Sequence, residues 1–281
     1  MIRRRAALLA LPALAVARAA DDHVTFDEPS GVSPGPMRVF IHRPAAWTAG
    51  RPVVLVMHGV RRDAARYRDT WAGLGDRYGA LIACPELTEA RFPGARWYNE
   101  GGISAAPDGP WSFGVPGRAF AALRARFGAV APGFHLYGHS AGAQFVHRAL
   151  LFDGLADARG IVAANAGWYT LPVADVAFPY GLGGTRLGDT ALRARFAAPF
   201  TLLLGEADTD PRHPALRRTE QADAQGVTRF ARGQHFFALA QARAAALGAP
   251  FAWRLGTVPG VGHSDAGMSG PAAARLLGPS P

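Results

Sequence analysis

Apolar and polar positions along the chain fall into two alternating kinds of segment. PVVLVMHG (52–59), ALIACPEL (80–87), GFHLYGHS (133–140), ARGIVAANAG (158–167), PFTLLLGEAD (199–208) and FAWRLGTVPG (251–260) are short and mostly apolar. Runs of that kind suit strands covered on both faces. Between them lie stretches of helical period, roughly 63 to 78, 117 to 130, the segment from Ala141, and 229 to 248, with a last one in PAAARLLG (271–278). HVTFDEP (23–29) and MRVFIHRP (37–44) come first and suggest a hairpin or a pair of edge strands. Strand and helix in alternation predict an α/β domain with a mostly parallel sheet of about eight strands and helices on both faces. Chemistry on such a sheet gathers at the carboxyl ends of the strands.

One period change stands out. In FHLYGHSAGAQFVHRALLF (134–152) the strand pattern ends at Ser140. From Ala141, Phe145, Val146, Ala149 and Leu150 fall on one helical face, and Gln144, His147 and Arg148 on another. Ser140 therefore occupies a sharp strand-to-helix turn, with Gly138 and Gly142 two residues to either side removing side chains that would collide. That geometry lifts a hydroxyl above the sheet and aims a helix N-terminus at developing negative charge.

A serine hydroxyl is a weak nucleophile without a base to take its proton. VPGVGHSDAGM (258–268) supplies His263 on a glycine-bearing loop after a late strand. The other histidines fit worse: His139 adjoins the serine and should point away from its hydroxyl, His235 sits within a helix, and His147 lies on a polar helical face. His135 and His139 straddle a strand and turn, outside helical metal-ligand spacing, so no metal is expected. A carboxylate must hold the imidazole tautomer. Asp208 follows the apolar strand by three residues and is preferred over Asp210, which suits a helix cap before Pro211.

The order Ser140, Asp208, His263 resembles that of the α/β-hydrolases, esterase–lipase type, over most of residues 24 to 278. The resemblance implies an oxyanion hole from the backbone N–H groups of Ala141 and of Val60, the latter following the His58-Gly59 pair, with His58 itself structural. HGVRRDAARYRDTWAGLGDRYGALIACPEL (58–87) is also similar to exported polyhydroxyalkanoate depolymerase-like and feruloyl-esterase-like hydrolases. It implies cleavage of a small or polymeric ester through an acyl-enzyme, without metal or organic cofactor. A serine peptidase or amidase of the same fold, or a binding protein on an inactive scaffold, are the competing readings.

Two long loops should shape the cleft. The first, 88 to 116, carries Trp97 and Trp111; the second, 165 to 190, carries Trp168 and Tyr169. These four aromatics are the expected substrate walls. The second loop is too short and too rich in glycine and proline for a separate cap domain, so a relatively open cleft is expected.

Composition adds compartment more than chemistry. Arg3 to Arg5, the apolar run 6–16 and Ala17-Arg18-Ala19 read as an export signal over residues 1–19, leaving 20–281 as one catalytic domain in a periplasmic or secreted protein. Removing the signal takes four arginines and lowers the net charge from +9 to +5. All basic residues except the histidines are arginine, with no lysine, which reads as a coding bias. The arginines form no stripe or module for nucleic acid. No later apolar stretch is long enough for membrane insertion. Cys84 is the single cysteine and sits in a buried-strand pattern, a core position that excludes an internal disulfide. Oligomeric state leaves no trace in the sequence.

Overall fold

Five of the six apolar runs become the middle of one sheet; the last, FAWRLGTVPG, forms an edge strand with no fully buried residue. A computed structural model describes residues 22–278; the export signal read over residues 1–19 lies outside them. The elements are β1 (His23–Glu28), β2 (Gly35–His42), β3 (Val53–Met57), α1 (Ala64–Tyr78), β4 (Leu81–Pro85), α2 (Gly94–Trp97) and α3 (Val115–Phe127). They continue with β5 (Phe134–His139), α4 (Ala141–Phe152), β6 (Ala158–Ala164), α5 (Asp189–Phe196), β7 (Phe200–Gly205), α6 (Glu220–Asp223), α7 (Arg229–Ala246), β8 (Arg254–Val258) and α8 (Asp265–Leu277). The eight strands lie in the order β1-β2-β4-β3-β5-β6-β7-β8. β1 and β2 form the antiparallel hairpin, β2 meets β4 antiparallel, and the rest run parallel.

Strand alternation sorts side chains into two cores. Leu55, Met57, Leu136, Ile161, Leu202 and Leu204 point to one side, where α3, α4 and α7 add Phe120, Phe145 and Phe236. Val54, Val56, Tyr137, Val162 and Leu203 point to the other, covered by Trp71 of α1 and Met268 and Ala272 of α8. Each such large side chain taken from water contributes about 1.5–3 kcal/mol, which fixes strand register: a one-residue slip would exchange the two sets. Cys84 is a buried member of the second core, and burial pushes its thiol pKa well up.

One sequence expectation fails in α4. Helical period puts Gln144, His147 and Arg148 on a polar face, yet every residue from Ala141 to Leu151 is buried. The segment after β6 folds down over that face. Arg148 Nε donates to Thr170 Oγ1 at 2.7 Å, and His147 Nε2 accepts the Thr170 N–H at 3.1 Å. The segment carries no helix until α5 and is held by its own bonds, such as Leu171 N–H to Tyr180 O at 2.8 Å. Among the described residues no helix is long and apolar enough to cross a membrane.

Candidate active site

β5 and α4 meet at Ser140, whose backbone is at φ 58°, ψ −116°. A non-glycine residue at positive φ stores strain, of order 1–3 kcal/mol, and persists only where the surroundings hold it. Here the surroundings are two backbones in contact. A Cβ on Gly142 would lie 2.1 Å from Met57 O, at the end of β3, and one on Gly138 would lie 2.3 Å from Gly142 O. Both glycines are steric requirements of the turn.

His263 and Asp208 arrive on neighbouring loops. His263 Nε2 lies 2.9 Å from Ser140 Oγ, and His263 Nδ1 lies 2.8 Å from Asp208 Oδ2. Asp208 is 5% exposed, and its other oxygen accepts from Arg229 Nη1 at 3.3 Å. Asp210 instead accepts the Arg212 N–H at 2.8 Å at the surface. The carboxylate beside the imidazole is thus that of Asp208. The two loops are packed on each other: Ala207 N–H donates to Val261 O at 2.9 Å, and a Cβ on Gly205 would lie 2.4 Å from the same oxygen. Asn165, at the end of β6, ties both. Its Oδ1 accepts the Gly205 N–H at 2.7 Å and its Nδ2 donates to Gly262 O at 2.9 Å.

His139 lies face-tilted on His263, with ring centroids 4.8 Å apart. Its Nδ1 is 3.2 Å from the Tyr67 hydroxyl, and burial, followed by the charge of His263, holds its pKa well below the usual range. His58 is also buried, which pushes its pKa down to about 4. Its Nδ1 is 3.0 Å from Gly59 O, and its Nε2 accepts the Leu87 N–H at 3.1 Å. These contacts fix the turn that carries Val60. Arg62, at φ 61°, completes it by donating to Leu87 O, Phe92 O and Gly94 O while Tyr98 stacks beneath at 4.2 Å.

Val60, 65% exposed, and Ala141 line one cleft with Ser140. Ala141 is the first residue of α4, where helix N–H groups have no intrahelical acceptor. This cleft, about 510 Å³, is bounded by Asn99, Gln144, Trp168, Leu216, Arg217 and Arg229. A second hollow of about 470 Å³ opens on the opposite flank, past Tyr67, His139, His263 and Asp265. Asp265 is largely buried, and burial raises its pKa to about 6 despite the Tyr137 hydroxyl donating at 3.1 Å. No group of three or more histidine, cysteine, aspartate or glutamate side chains among the described residues could hold a metal ion.

Of the four expected wall aromatics, only Trp168 reaches the serine cleft. Tyr169 turns into the core, stacked on Phe236 at 4.6 Å. The chain bends at Gly167 and Trp168, and Gln225 holds the Tyr169 backbone at both its N–H and its carbonyl, each at 2.8 Å. Trp111 donates its indole N–H to Ala106 O at 2.8 Å and lines a separate apolar pocket with Phe152, Phe178 and Leu187. Trp97 packs partly buried against the core and against Gly102. Sequence reasoning missed Asn165, Arg62, Arg217 and Arg229. An asparagine directly after an apolar strand was the one visible signal among them.

A strained serine above a mostly parallel eight-stranded sheet, hydrogen-bonded to a histidine and through it to an aspartate, defines a class, and the comparisons agree with it. The chain belongs to the α/β-hydrolase superfamily, in its esterase-type branch with polyhydroxybutyrate depolymerase-like resemblance. It is 37% identical to poly(aspartic acid) hydrolase-1 from Sphingomonas sp. KT-1, over 90% of this chain and 98% of that one, with a TM-score of 0.85. It is 36% identical to a poly(3-hydroxybutyrate) depolymerase from Bordetella parapertussis, over 92% and 91%, with a TM-score of 0.83. An S-formylglutathione hydrolase from Agrobacterium tumefaciens shares the fold at 15% identity, over 92% and 98%, with a TM-score of 0.55. No protein-family model matches the chain, and neither does any curated protein sequence.

Proposed function

We propose that this hydrolase cleaves carboxylic esters through a covalent acyl-enzyme on Ser140. The carrying observation is the continuous hydrogen-bonded chain from Ser140 Oγ through His263 to Asp208, at 2.9 and 2.8 Å. Ser140 Oγ attacks the ester carbonyl carbon as His263 Nε2 takes its proton, and Asp208 stabilises the imidazolium. The oxyanion is held by the N–H groups of Val60 and Ala141, each such donor contributing about 3 kcal/mol. Collapse breaks the C–O bond, with His263 returning its proton to the leaving alcohol. Water, deprotonated by His263, then frees the acid and regenerates the serine hydroxyl. No step calls for a metal or organic cofactor.

Small-molecule and polymeric esters are the proposed substrates. The export signal read in residues 1–19 makes a periplasmic or secreted setting part of the proposal. A second reading, amide hydrolysis by the same steps, is favoured by the 37% identity to a protein named for poly(aspartic acid). An inactive binding scaffold is the third. A fluorophosphonate probe should label the native protein at Ser140 and fail to label Ser140→Ala; absence of labelling in both favours the scaffold reading. A panel of p-nitrophenyl esters, hydroxybutyrate oligomers, feruloyl esters, aminoacyl anilides and aspartyl peptides then ranks ester against amide. Anilides turned over faster than esters would overturn the ester assignment.

A further inference from the structure

The charges lining the Trp168 side of the serine cleft do not balance. Its lining includes three arginines, Arg62, Arg217 and Arg229, and one carboxylate, Glu89. Glu89 is taken by Arg62 at 3.0 Å, and Arg229 by Asp208 at 3.3 Å from behind. Arg217 is left with no carboxylate in reach among the described residues. Its guanidinium lies 4.7 Å from the centroid of Trp168 and 5.5 Å from that of Tyr180, which orders it without neutralising it. A second guanidinium, that of the buried Arg148, lies 4.1 Å from the centroid of Trp168. Arg148 donates to Thr170 Oγ1 and to the carbonyls of Asn99 and Gln144, and its Nη2 has no hydrogen-bond partner. Burial lowers the pKa of Arg148 to about 9; Glu100 opposes the shift, and Arg217 adds to it. Two cations on one indole, beside a reactive serine, make a local positive field that a general coding bias toward arginine does not explain. An anionic group on the substrate would relieve it.

We propose that Arg217, ordered on Trp168, is a carboxylate-binding subsite, so that preferred substrates carry an acidic group on the portion entering this cleft. The planar fork of arginine binds a carboxylate through two parallel N–H bonds, which sets orientation as well as affinity. This rests on the reading of Ser140 as the acyl-transfer nucleophile.

The test compares p-nitrophenyl hemisuccinate with p-nitrophenyl butyrate, esters of similar reach that differ in a terminal carboxylate. The readout is the ratio of their kcat/KM values. Arg217→Gln should lower that ratio by about ten-fold or more, mainly through the KM of the acidic ester, and Arg217→Lys should recover part of it. Salt at about 0.5 M should depress the ratio in the native protein and leave the Gln variant unaffected. A ratio within about two-fold of native in soluble Arg217→Gln, or an equal fall for both esters, overturns the proposal. Should that variant not fold, the native protein decides: neither salt dependence of the ratio nor competition by glutarate overturns it as well. Calorimetric titration of glutarate into Ser140→Ala separates the two layers. Binding there, with no turnover of either ester by the native enzyme, retains the subsite and sinks the ester reading.

Discussion

The corner at Ser140 and the walls around it are built by different rules. At the corner, backbone packs on backbone: Gly142 against Met57, Gly138 against Gly142, Gly205 against Val261. Little latitude remains, and small residues at fixed spacing announce the arrangement. On the walls, side chains decide. Adjacent residues Trp168 and Tyr169 take opposite fates, one facing the cleft and the other sealed beneath it. The Ser140–His263–Asp208 geometry follows from strand ends and turn sterics, whereas the cleft lining follows from which way each inserted loop rolls.

The sharpest way to break the contrast is at the acid. Asp208→Asn should lower kcat by about 10³–10⁴-fold, because the amide no longer stabilises the imidazolium or enforces its tautomer. Asp210→Asn should change kcat by less than about three-fold, since its carboxylate serves only the Arg212 amide. Steady-state kinetics on one ester decides both. Comparable losses in the two variants would return the acid to ambiguity.

A second measurement separates the buried histidines from the buried Asp265 carboxylate by pH. His58 is held neutral by burial, with its pKa near 4 instead of 6.5. A group with a depressed cationic pKa contributes stability that is present above about 6.5 and lost as pH falls toward 4. At about 1.4 kcal/mol per unit, the His58 contribution is about 3 kcal/mol. His139 and His147 are depressed for the same reason and act in the same direction. Asp265 runs the other way: raised to about 6 from 3.8, it costs nothing below the lower value and most above the higher one. Urea unfolding should therefore give a lower midpoint at pH 4.5 than at pH 7 for the native chain. Asp265→Asn should raise the midpoint at pH 8 and have little effect at pH 4.

The smallest expected effect lies in the wall that turned inward. The Tyr169 hydroxyl is buried with no well-formed hydrogen bond, only a weaker approach to the Ala166 backbone. Tyr169→Phe removes that unmet polar group and should stabilise the fold by up to about 1 kcal/mol, with ester turnover within about two-fold of native. Thermal melts and kinetics together read it. A large rise in KM would place the residue back in the cleft.

How much of this was legible depends on how local its cause is. The sheet followed from apolar runs, and Ser140 and His263 from glycine-bearing turns after strands. Asp208 and Asp210 could be ranked but not separated on spacing alone, because the choice rests on the turn at Gly205 and on Arg229, which arrives from α7. The polar face of α4 misled for a related reason. Helical period reports which residues share a side, but here that side meets Thr170 and Asn99 instead of water. Trp97 and Trp111 lie away from the cleft because the first long loop packs down onto the main core, burying Phe92, Tyr98 and Phe113 there, the last two against Phe145 of α4.

By bonding at once to Gly205 and Gly262, Asn165 makes the segments that carry Asp208 and His263 a single mechanical body anchored to the end of β6. Asn165 is also the first residue of the loop that carries Trp168, three positions before it. The same residue thus sets the spacing of those two segments and the starting point of one cleft wall, so a change in that loop's first turn is transmitted to both.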